Sequence, residues 1–328
     1  MSWTAVRRWR DRLRAHDPAP SVPHLSPQGA RAAWDAALDA LSDEALDQVA
    51  AIEGEPPGAA VMVCARTVFT APLEWCAVLL GRGTPLILKH PTGQPGITPI
   101  LTREAQALGL PLSHTDRRDV LSDAALCITM GSDATVASVD EALPEHARHL
   151  GFGHRFSVAW ITRAGSVAAV AQDAALHDGA GCMSPVALFT PLPPAQIVTP
   201  LAAAMIDAQR SIPRGELAPA TGATIRLRRA LALAVGTVTE GEAWALLELP
   251  VACFVPVALP RVLAVHQVAD RATFEALLAP HRLGLSTIGT DDPALALPGV
   301  RCCAPGQMQR PPLVRHHDGV DWLRRTLG

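Results

Sequence analysis

Cys182 is the residue of this sequence best suited to covalent chemistry. It stands in the segment DGAGCMSP at residues 178–185, where small residues precede the thiol and let a backbone and a ligand approach each other closely. A thiolate attacks acyl carbons readily and also leaves them readily. The segment therefore predicts a cysteine nucleophile for acyl chemistry. The alternative is a buried cysteine that only packs.

Lys89 is the second candidate. Lysine and arginine together number 28, and 27 of these are arginine, so Lys89 is the single lysine of a chain that also lacks tyrosine and asparagine. It ends a predicted strand at residues 85–89, and an ammonium at the end of a parallel strand can hold a ribose hydroxyl or a phosphate of a dinucleotide. The alternative is an ordinary surface lysine.

Three further segments are candidates: a Gly-Ser turn, a histidine before the thiol, and a pair of histidines near the C-terminus. Gly131 and Ser132 open a predicted helix after a strand, where backbone N–H groups and the helix dipole favour a phosphate. His177 precedes the thiol segment and is a candidate acid or base, the alternative being a solvated His-Asp pair at a helix end. His316 and His317 have no third ligand at a convincing spacing, so no metal site is predicted.

Composition excludes several classes of protein. A formal net charge of −3 gives no basic surface for nucleic acid. The most apolar stretch, residues 243–265, is interrupted by charged residues and prolines, so no membrane span is predicted. The arginine-rich start lacks the apolar segment of a secretory signal. Seven cysteines, an odd number without CxxC spacing, indicate reduced thiols and a cytoplasmic protein.

The elements that must position these residues alternate in the first half of the chain. Residues 1–25 read as a solvated arm or short helix, and Ser26-Pro27 is a typical helix start. Strands are predicted at residues 60–64, 85–89 and 124–130, with helices at 72–80 and 98–108 and a third opening at Gly131. This alternation predicts an α/β fold with a doubly wound nucleotide-binding domain.

A second α/β unit follows. Strands are predicted at residues 156–162, 186–190, 224–227, 232–237, 251–257 and 262–265, with helices at 200–209 and 271–278. The predicted domains are an N-terminal helical region packing on the cofactor domain (1–57), a dinucleotide-binding domain (58–155), a catalytic thiol domain (156–300) and a C-terminal return segment (301–328).

Four stretches together resemble the aldehyde dehydrogenase superfamily, and within it the LuxC-type fatty acyl-CoA reductases. They are LLGRGTPLILKHP (79–91), CITMGSDATVASV with GFGHRFSVAWI (127–139 and 151–161), DGAGCMSPVALF (178–189) and PGQMQRPPLVRHHDGVDWL (305–323). The resemblance spans roughly residues 58–328. The Cys-x-Ser-Pro and C-terminal blocks are specific to the reductase branch, whereas the lysine strand marks only the superfamily.

The resemblance implies a mechanism. Cys182 would take an acyl group from a thioester, and a nicotinamide hydride would then reduce it to an aldehyde. Lys89 matches the family's adenosine-ribose contact, Gly131 and Ser132 match its pyrophosphate turn, and Glu248 resembles the glutamate that holds the nicotinamide ribose. Thr92 stands where a glutamate often selects NAD, which favours NADPH while leaving NADH open.

Departures from the family pattern also matter. The glutamate base of hydrolytic aldehyde dehydrogenases has no counterpart in FSVAWITRAG at residues 156–165, which favours a reductase over an aldehyde oxidiser. The oxyanion asparagine falls near Thr70, leaving the backbone N–H of Cys182 to polarise the carbonyl. The chain is also shorter than typical members before its first strand, where the oligomerisation hairpin would be reduced or missing.

The sequence thus predicts an NAD(P)H-dependent acyl-CoA or acyl-carrier-protein reductase, with a homodimer or a synthase partner as candidate assemblies. The alternative is a catalytically silent dehydrogenase-fold scaffold subunit of an acyl-synthesis complex, which need not bind NADPH. A third reading is acyl transfer from Cys182 to another acceptor, which predicts thioester exchange without nicotinamide oxidation.

Overall fold

A computed structural model describes residues 2–65 and 67–328. The described residues fall into two compact units, the first drawn from residues 2–22, 33–65, 67–154 and 311–328 and the second from residues 23–32 and 155–310. The helices are α1 (Trp3–Arg14), α2 (Pro27–Asp39), α3 (Asp43–Ala50), α4 (Pro72–Gly81), α5 (Thr98–Gln106), α6 (Asp133–Asp140), α7 (Val167–Ala175), α8 (Pro194–Ser211), α9 (Pro219–Leu233), α10 (Arg271–Leu278) and α11 (Trp322–Leu327).

The strands form one sheet in each unit. They are β1 (Ala60–Val63), β2 (Leu86–Lys89), β3 (Leu112–Thr115), β4 (Leu126–Met130) and β5 (Arg148–Phe152) in the first unit. In the second unit they are β6 (Phe156–Trp160), β7 (Pro185–Thr190), β8 (Thr237–Glu240), β9 (Ala245–Glu248), β10 (Val262–Gln267), β11 (Leu285–Thr290) and β12 (Arg301–Cys303).

The sheet of the first unit has the order β3-β2-β1-β4-β5, and every pair is parallel. Val61 at its centre lies opposite Ile87 on one side and Cys127 on the other. All four residues of β1 are buried, as expected for a strand covered by helices on both faces. The predicted doubly wound parallel domain is confirmed.

The N-terminal helix α1 is packed and not solvated. Val6, Trp9 and Leu13 are completely buried, and the Trp9 indole donates to the carbonyl of Leu101 in α5 over 3.1 Å. The helix alternative for this segment is therefore correct and the solvated arm is wrong. Arginines near Met1 suggested exposure, but the apolar residues lie at helical spacing on the opposite face. The predicted start of α2 is confirmed, since Ser26 Oγ accepts from the Gly29 N–H over 3.0 Å.

The sheet of the second unit has the order β12-β11-β6-β7-β10-β9-β8. Its pairs are parallel except for β8, which runs antiparallel to β9. One face packs against Ile225 of α9 and Phe274 of α10, and the other against Val170 of α7 and Leu201 of α8. Helices on both faces confirm the second α/β domain and protect the strand backbone from water.

Several predicted elements of the second unit are wrong. Residues 224–227 and most of 232–237 lie in or just after α9, because Ile225 and Ala232, seven residues apart, share one buried helical face. Residues 251–253 form a 3-10 turn in place of a strand. Helix α8 begins at Pro194, so Pro200 lies inside it and not at its first position. Strands β9, β11 and β12 were not predicted, and the prediction for β8 covered only Thr237. In the first unit, β3 and β5 were also not predicted.

Candidate active site

The segment before Cys182 has an unusual backbone. After α7, residues His177, Asp178 and Gly179 all have left-handed φ angles, of 55°, 54° and 71°. Glycine tolerates this conformation, but for the two residues with side chains it costs about 1–2 kcal/mol each. Such a conformation persists only where surrounding contacts hold it.

A buried ion pair supplies those contacts. Arg261 is 2% exposed and Asp178 is 6% exposed, and the guanidinium contacts Asp178 Oδ1 through Nε (2.8 Å) and Nη2 (2.6 Å). The second carboxylate oxygen accepts from the Gly215 N–H over 2.8 Å, while Arg261 Nη1 donates to Gln209 Oε1 over 2.8 Å. Burial lowers the pKa of Arg261, and the Asp178 carboxylate opposes this effect. The pair is therefore well satisfied, as a buried charge requires.

The backbone of Cys182 is held from the other side by Ser157 in β6. Ser157 Oγ donates to the Cys182 carbonyl over 2.7 Å and accepts from the Thr287 N–H of β11 over 3.0 Å. The Ser184 N–H donates to the Gly181 carbonyl over 2.9 Å and closes a tight turn around the cysteine. The half-buried thiol thus lies on a turn fixed at the amino edge of the second sheet, where β6, β7, β10 and β11 begin.

A loop from the C-terminal motif supports the same turn. Asp173 in α7 accepts from the backbone N–H groups of Gly306 (2.6 Å) and Met308 (3.1 Å). Gln309 follows Met308 in this loop, and its side-chain amide donates a hydrogen bond to Ser184 Oγ. Burial raises the pKa of Asp173 to about 6, despite these N–H donors and the nearby Arg301. The loop that carries Gln309 is thereby anchored next to the thiol turn.

His177 is buried beside this turn. It is 5% exposed, and burial together with the charge of His24 lowers its pKa to about 4. The ring is therefore neutral at pH 7, and its low pKa makes it a weak proton acceptor.

Five of the other cysteines have thiol pKa values that burial raises. All seven cysteines lie outside disulfides. Burial raises the pKa of Cys64 to about 12 and of Cys127 and Cys303 to about 11, and it also raises the pKa values of Cys76 and Cys302. Thiols with raised pKa values are poor nucleophiles at neutral pH because little thiolate is present.

The predicted cofactor residues of the first unit lie at the carboxyl edge of its sheet. The chain leaves β1 toward β2 and leaves β4 toward β5, so this edge has a topological switch point between β1 and β4, the usual place for a dinucleotide. Lys89 ends β2, half-buried, and its Nζ donates to the His90 carbonyl over 3.2 Å. Exposed Thr92 follows three residues later.

The turn between β4 and α6 suits a phosphate. Ser132 caps α6 by accepting from the Thr135 N–H over 3.1 Å, and Asp133 Oδ1 accepts from the His154 N–H over 2.8 Å. A Cβ at Gly131 would lie 3.3 Å from Thr135, so the glycine allows a close turn. Lys89, Gly131 and Ser132 therefore lie along one edge, and their arrangement fits a dinucleotide.

Two of the predicted site residues, Glu248 and Thr70, do not lie beside the other candidate residues of their own unit. Glu248 ends β9, at the carboxyl edge of the second sheet, whereas Cys182 lies at the amino edge of that sheet. Thr70 belongs to the first unit, where it is 7% exposed and its carbonyl accepts from the Leu73 N–H at the start of α4 over 3.0 Å. The roles of both residues stay predictions.

The histidine-rich C-terminal motif is used in packing. Arg315 donates to both carboxylate oxygens of Glu74 in α4, over 2.7 and 3.1 Å, and His317 Nδ1 lies 3.6 Å from the same group. Among residues 2–65 and 67–328, no three histidine, cysteine, aspartate or glutamate side chains are arranged to hold a metal ion. No helix in this described part is both long and apolar enough to cross a membrane.

Comparison with known proteins decides the family. The family model described as acyl-CoA reductase (LuxC) matches residues 110–327, about two thirds of the chain. The chain belongs to the acyl-CoA reductase (LuxC) family. This LuxC-family chain is thus an oxidoreductase that acts on aldehyde or acyl groups, and the resemblance read from its sequence is confirmed. It has no match among curated proteins.

Solved structures show the same fold. Aldehyde dehydrogenase 21 from Physcomitrella patens matches with a TM-score of 0.76 at 13% identity, covering 99% of this chain and 83% of that one. An NAD-dependent benzaldehyde dehydrogenase from Corynebacterium glutamicum matches at 0.67 and 14% identity, covering 88% and 76%. The NADP-dependent glyceraldehyde-3-phosphate dehydrogenase from Bacillus halodurans C-125 matches at 0.67 and 16%, covering 92% and 78%. These likenesses confirm the aldehyde-dehydrogenase-like fold.

Sequence reasoning missed four residues that support Cys182. They are Ser157, Asp173, Arg261 and Gln309. Ser157 and Gln309 lay within stretches that resemble the family, but neither was singled out. Asp173 lies in the helix just before the thiol segment, whereas Arg261 contacts Asp178 from 83 residues away. Asp178 was noticed beside His177, but as a solvated group and not as a buried partner of Arg261.

Proposed function

We propose that this protein is an NAD(P)H-dependent acyl-thioester reductase that releases an aldehyde through an acyl-enzyme on Cys182. The observation that carries the proposal is the rigid turn that presents this thiol at the amino edge of the second sheet. Membership of the acyl-CoA reductase family supports the same chemistry.

In the first step the Cys182 sulfur attacks the thioester carbonyl of acyl-CoA or an acyl carrier protein. The bond from this sulfur to the acyl carbon forms, the bond to the carrier sulfur breaks, and the carrier leaves as a thiol with the proton that Cys182 gives up. We propose that His177 passes this proton from Cys182 to the departing carrier sulfur, because its low pKa prevents the ring from retaining the proton. The Cys182 backbone N–H polarises the carbonyl, and Ser157 fixes the peptide that follows it.

The nicotinamide cofactor supplies a hydride to the acyl carbon when it is bound. Lys89 holds its adenosine ribose, and Gly131 and Ser132 receive its pyrophosphate at the start of α6. Thr92 places no carboxylate near Lys89, so a 2′-phosphate meets no repulsion and NADPH is the preferred form. The fold neighbours include both an NAD-dependent and an NADP-dependent enzyme, which supports a nicotinamide cofactor of either kind.

The surroundings of the acyl-enzyme favour reduction over hydrolysis. The glutamate base of the hydrolytic dehydrogenases belongs to the stretch that corresponds to β6 and the residues after it. Here β6 has the sequence FSVAW, and all five residues are buried. A general base that activates water is therefore missing from this segment. The acyl group persists until hydride arrives, and cleavage of its bond to Cys182 then releases the aldehyde.

One observation favours a second candidate, the catalytically silent scaffold. The family's oxyanion asparagine corresponds to Thr70, which is buried, and loss of one oxyanion donor costs about 10²–10³ in rate. A scaffold need not bind NADPH, so binding of the dinucleotide separates the two candidates.

The test is NADPH and NADH oxidation with a panel of acyl-CoAs of increasing chain length, with the product aldehyde trapped as a hydrazone. We expect oxidation that depends on acyl-CoA, with one aldehyde formed per cofactor consumed. Thioester exchange without oxidation would instead indicate acyl transfer to another acceptor. Tight NADPH binding with neither reaction would contradict the reductase.

A further inference from the structure

We infer that the buried pair of Asp178 and Arg261 positions Cys182 for attack, an inference that rests on the proposed function of that thiol. The pair touches neither the sulfur nor a substrate in this account. Its role is to hold the backbone from which the thiol projects, so both residues are positioning residues.

The backbone is left-handed on both sides of the pair. His177, Asp178 and Gly179 form one such segment, and Arg261 itself has a φ of 53°. The Arg261 N–H donates to the Asp178 carbonyl over 3.2 Å, so the two distorted segments are joined through their backbones as well as their side chains. A conformation that L-residues disfavour is retained here by contacts specific to this pair.

The segment between Asp178 and Cys182 is short and made of small residues. Only Gly179, Ala180 and Gly181 separate them, and these residues have at most one methyl group with which to pack. The place of the thiol is therefore set by its two flanks. Asp178 fixes one flank through Arg261 and Gly215, and Ser157 and Ser184 fix the other.

The backbone at Gly179 is closely packed against the segment that precedes β10. A Cβ at this residue would lie 3.2 Å from the Arg261 nitrogen and 3.5 Å from the Leu259 carbonyl oxygen, in a backbone conformation that already strains an L-residue. The segment before β10 therefore lies directly against the thiol turn. Arg261 also donates to the Ala175 carbonyl at the end of α7 over 3.3 Å, which joins the helix to the same arrangement.

A pair that only stabilised the fold would give a different result, and the chain offers a matched control. Asp291 is also a buried carboxylate, with 2% of its side chain exposed, and it accepts from the Thr162 N–H (2.8 Å) and the Arg163 N–H (3.0 Å). It follows β11 at the carboxyl edge of the same sheet, opposite the edge that carries Cys182. Asp291→Asn should therefore weaken the fold without moving the thiol.

The experiment compares Asp178→Asn, Arg261→Lys and Asp291→Asn with the wild type by thermal unfolding, steady-state kinetics and iodoacetamide alkylation mapped by peptide mass. For the two variants of the pair we expect kcat to fall by about tenfold to a hundredfold, with KM for acyl-CoA changed less than about threefold. The alkylation rate of Cys182 should change by about fivefold or more, while those of Cys253 and Cys302 stay constant. Asp291→Asn should alter only the unfolding midpoint.

Equal kcat and Cys182 alkylation in the pair variants and in Asp291→Asn, at matched unfolding midpoints, would overturn the inference. If Arg261→Lys does not fold, Gly179→Ala alters the same turn directly. It should also lower kcat while leaving the KM for acyl-CoA nearly unchanged. Failure of the proposed function is distinguishable, because wild-type protein would then take no acyl label from acyl-CoA. The alkylation comparison would still report whether the pair places the thiol.

Discussion

The two sheets of this protein present their candidate residues at opposite edges. In the first unit, Lys89, Gly131 and Ser132 lie at the carboxyl edge, where the helices that follow the strands begin. In the second unit, Cys182 lies at the amino edge, just after the end of α7 and just before β7. Phosphate recognition uses helix N-termini, which parallel α/β topology places at the carboxyl edge.

The amino edge offers no such helix N-terminus, so the second unit must fix its thiol in another way. It uses buried side chains, namely the carboxylate of Asp178 in the thiol segment itself, the guanidinium of Arg261 and the hydroxyl of Ser157 from other parts of the chain. The comparison teaches that topology suffices to build the phosphate site, whereas the thiol site depends on individual buried polar contacts. Substitutions at the two edges should therefore have separable effects.

The largest effect should come from Cys182→Ala. Removing the nucleophile should lower kcat for acyl-CoA reduction by at least about 10⁴-fold, because the acyl-enzyme on this sulfur can then no longer form. The dissociation constant for NADPH, measured by fluorescence titration, should change less than about twofold, since the phosphate turn lies in the other unit. A parallel loss of NADPH binding would contradict the separation of the two edges.

The next effect concerns Asp173, which anchors the Gln309 loop at the amino edge. Its folded pKa of about 6 lies above the ordinary value of 3.8, so the folded state holds this proton more tightly than the unfolded chain. Its contribution to the free energy of unfolding is greatest below pH 4 and is lost as the pH rises through 6, by up to about 3 kcal/mol.

Asp173→Asn removes this titration. Subtracting the variant's free energy of unfolding from that of the wild type should give a difference that falls between pH 4 and pH 7, measured by urea denaturation. Asp291→Asn serves as the control, because the pKa of Asp291 is lowered by its hydrogen-bond donors. A flat difference for Asp173 across that range would show that its carboxyl is already charged at pH 4.

At the carboxyl edge of the first unit, Lys89→Met should raise the KM for NADPH by about tenfold to a hundredfold, because a charge-assisted contact to the cofactor is lost. Transfer of the acyl group to Cys182, followed by release of CoA in a single turnover, should keep its wild-type rate. Lys89→Arg retains the charge, so its KM for NADPH should lie between the values of the wild type and of Lys89→Met. A slower acyl transfer in Lys89→Met would show that the lysine also serves the thiol site.

The smallest expected effect is that of Thr92→Glu, three residues after the lysine. A new carboxylate should raise the KM for NADPH by about tenfold through repulsion of the 2′-phosphate, and should leave the KM for NADH within about twofold. Thr92→Gln has nearly the same shape without the charge and should leave both values unchanged. Equal increases for both cofactors would place the 2′-phosphate elsewhere.

The sequence predicted the first unit far better than the second. Proline and glycine mark the ends of α4 and α5, and continuous apolar runs mark β1 and β4, so local patterns were sufficient there. Strand β3, with only Leu112 buried, has no such pattern and was missed. The Lys89 strand and the Ser132 cap follow from the same local rules.

The thiol site could be predicted only in part. Cys182 has a local signature, the small residues before it. The left-handed backbone at His177 and Asp178 has none, because Asp and His adopt positive φ more often than other side-chain-bearing residues but still in a small minority of cases. The partner of Asp178 is 83 residues away in the sequence, and the loop held by Asp173 is more than 130 residues away. A single sequence contains no pattern that pairs residues at such separations.

The central claim is that Cys182 carries the acyl group. The direct measurement incubates the protein with an acyl-CoA in the absence of NADPH and records its intact mass, followed by peptide mapping. The account predicts one added acyl group on Cys182, released as aldehyde when NADPH is added, and none on the Cys182→Ala variant. An acyl group on another residue, or one retained by Cys182→Ala, would contradict it.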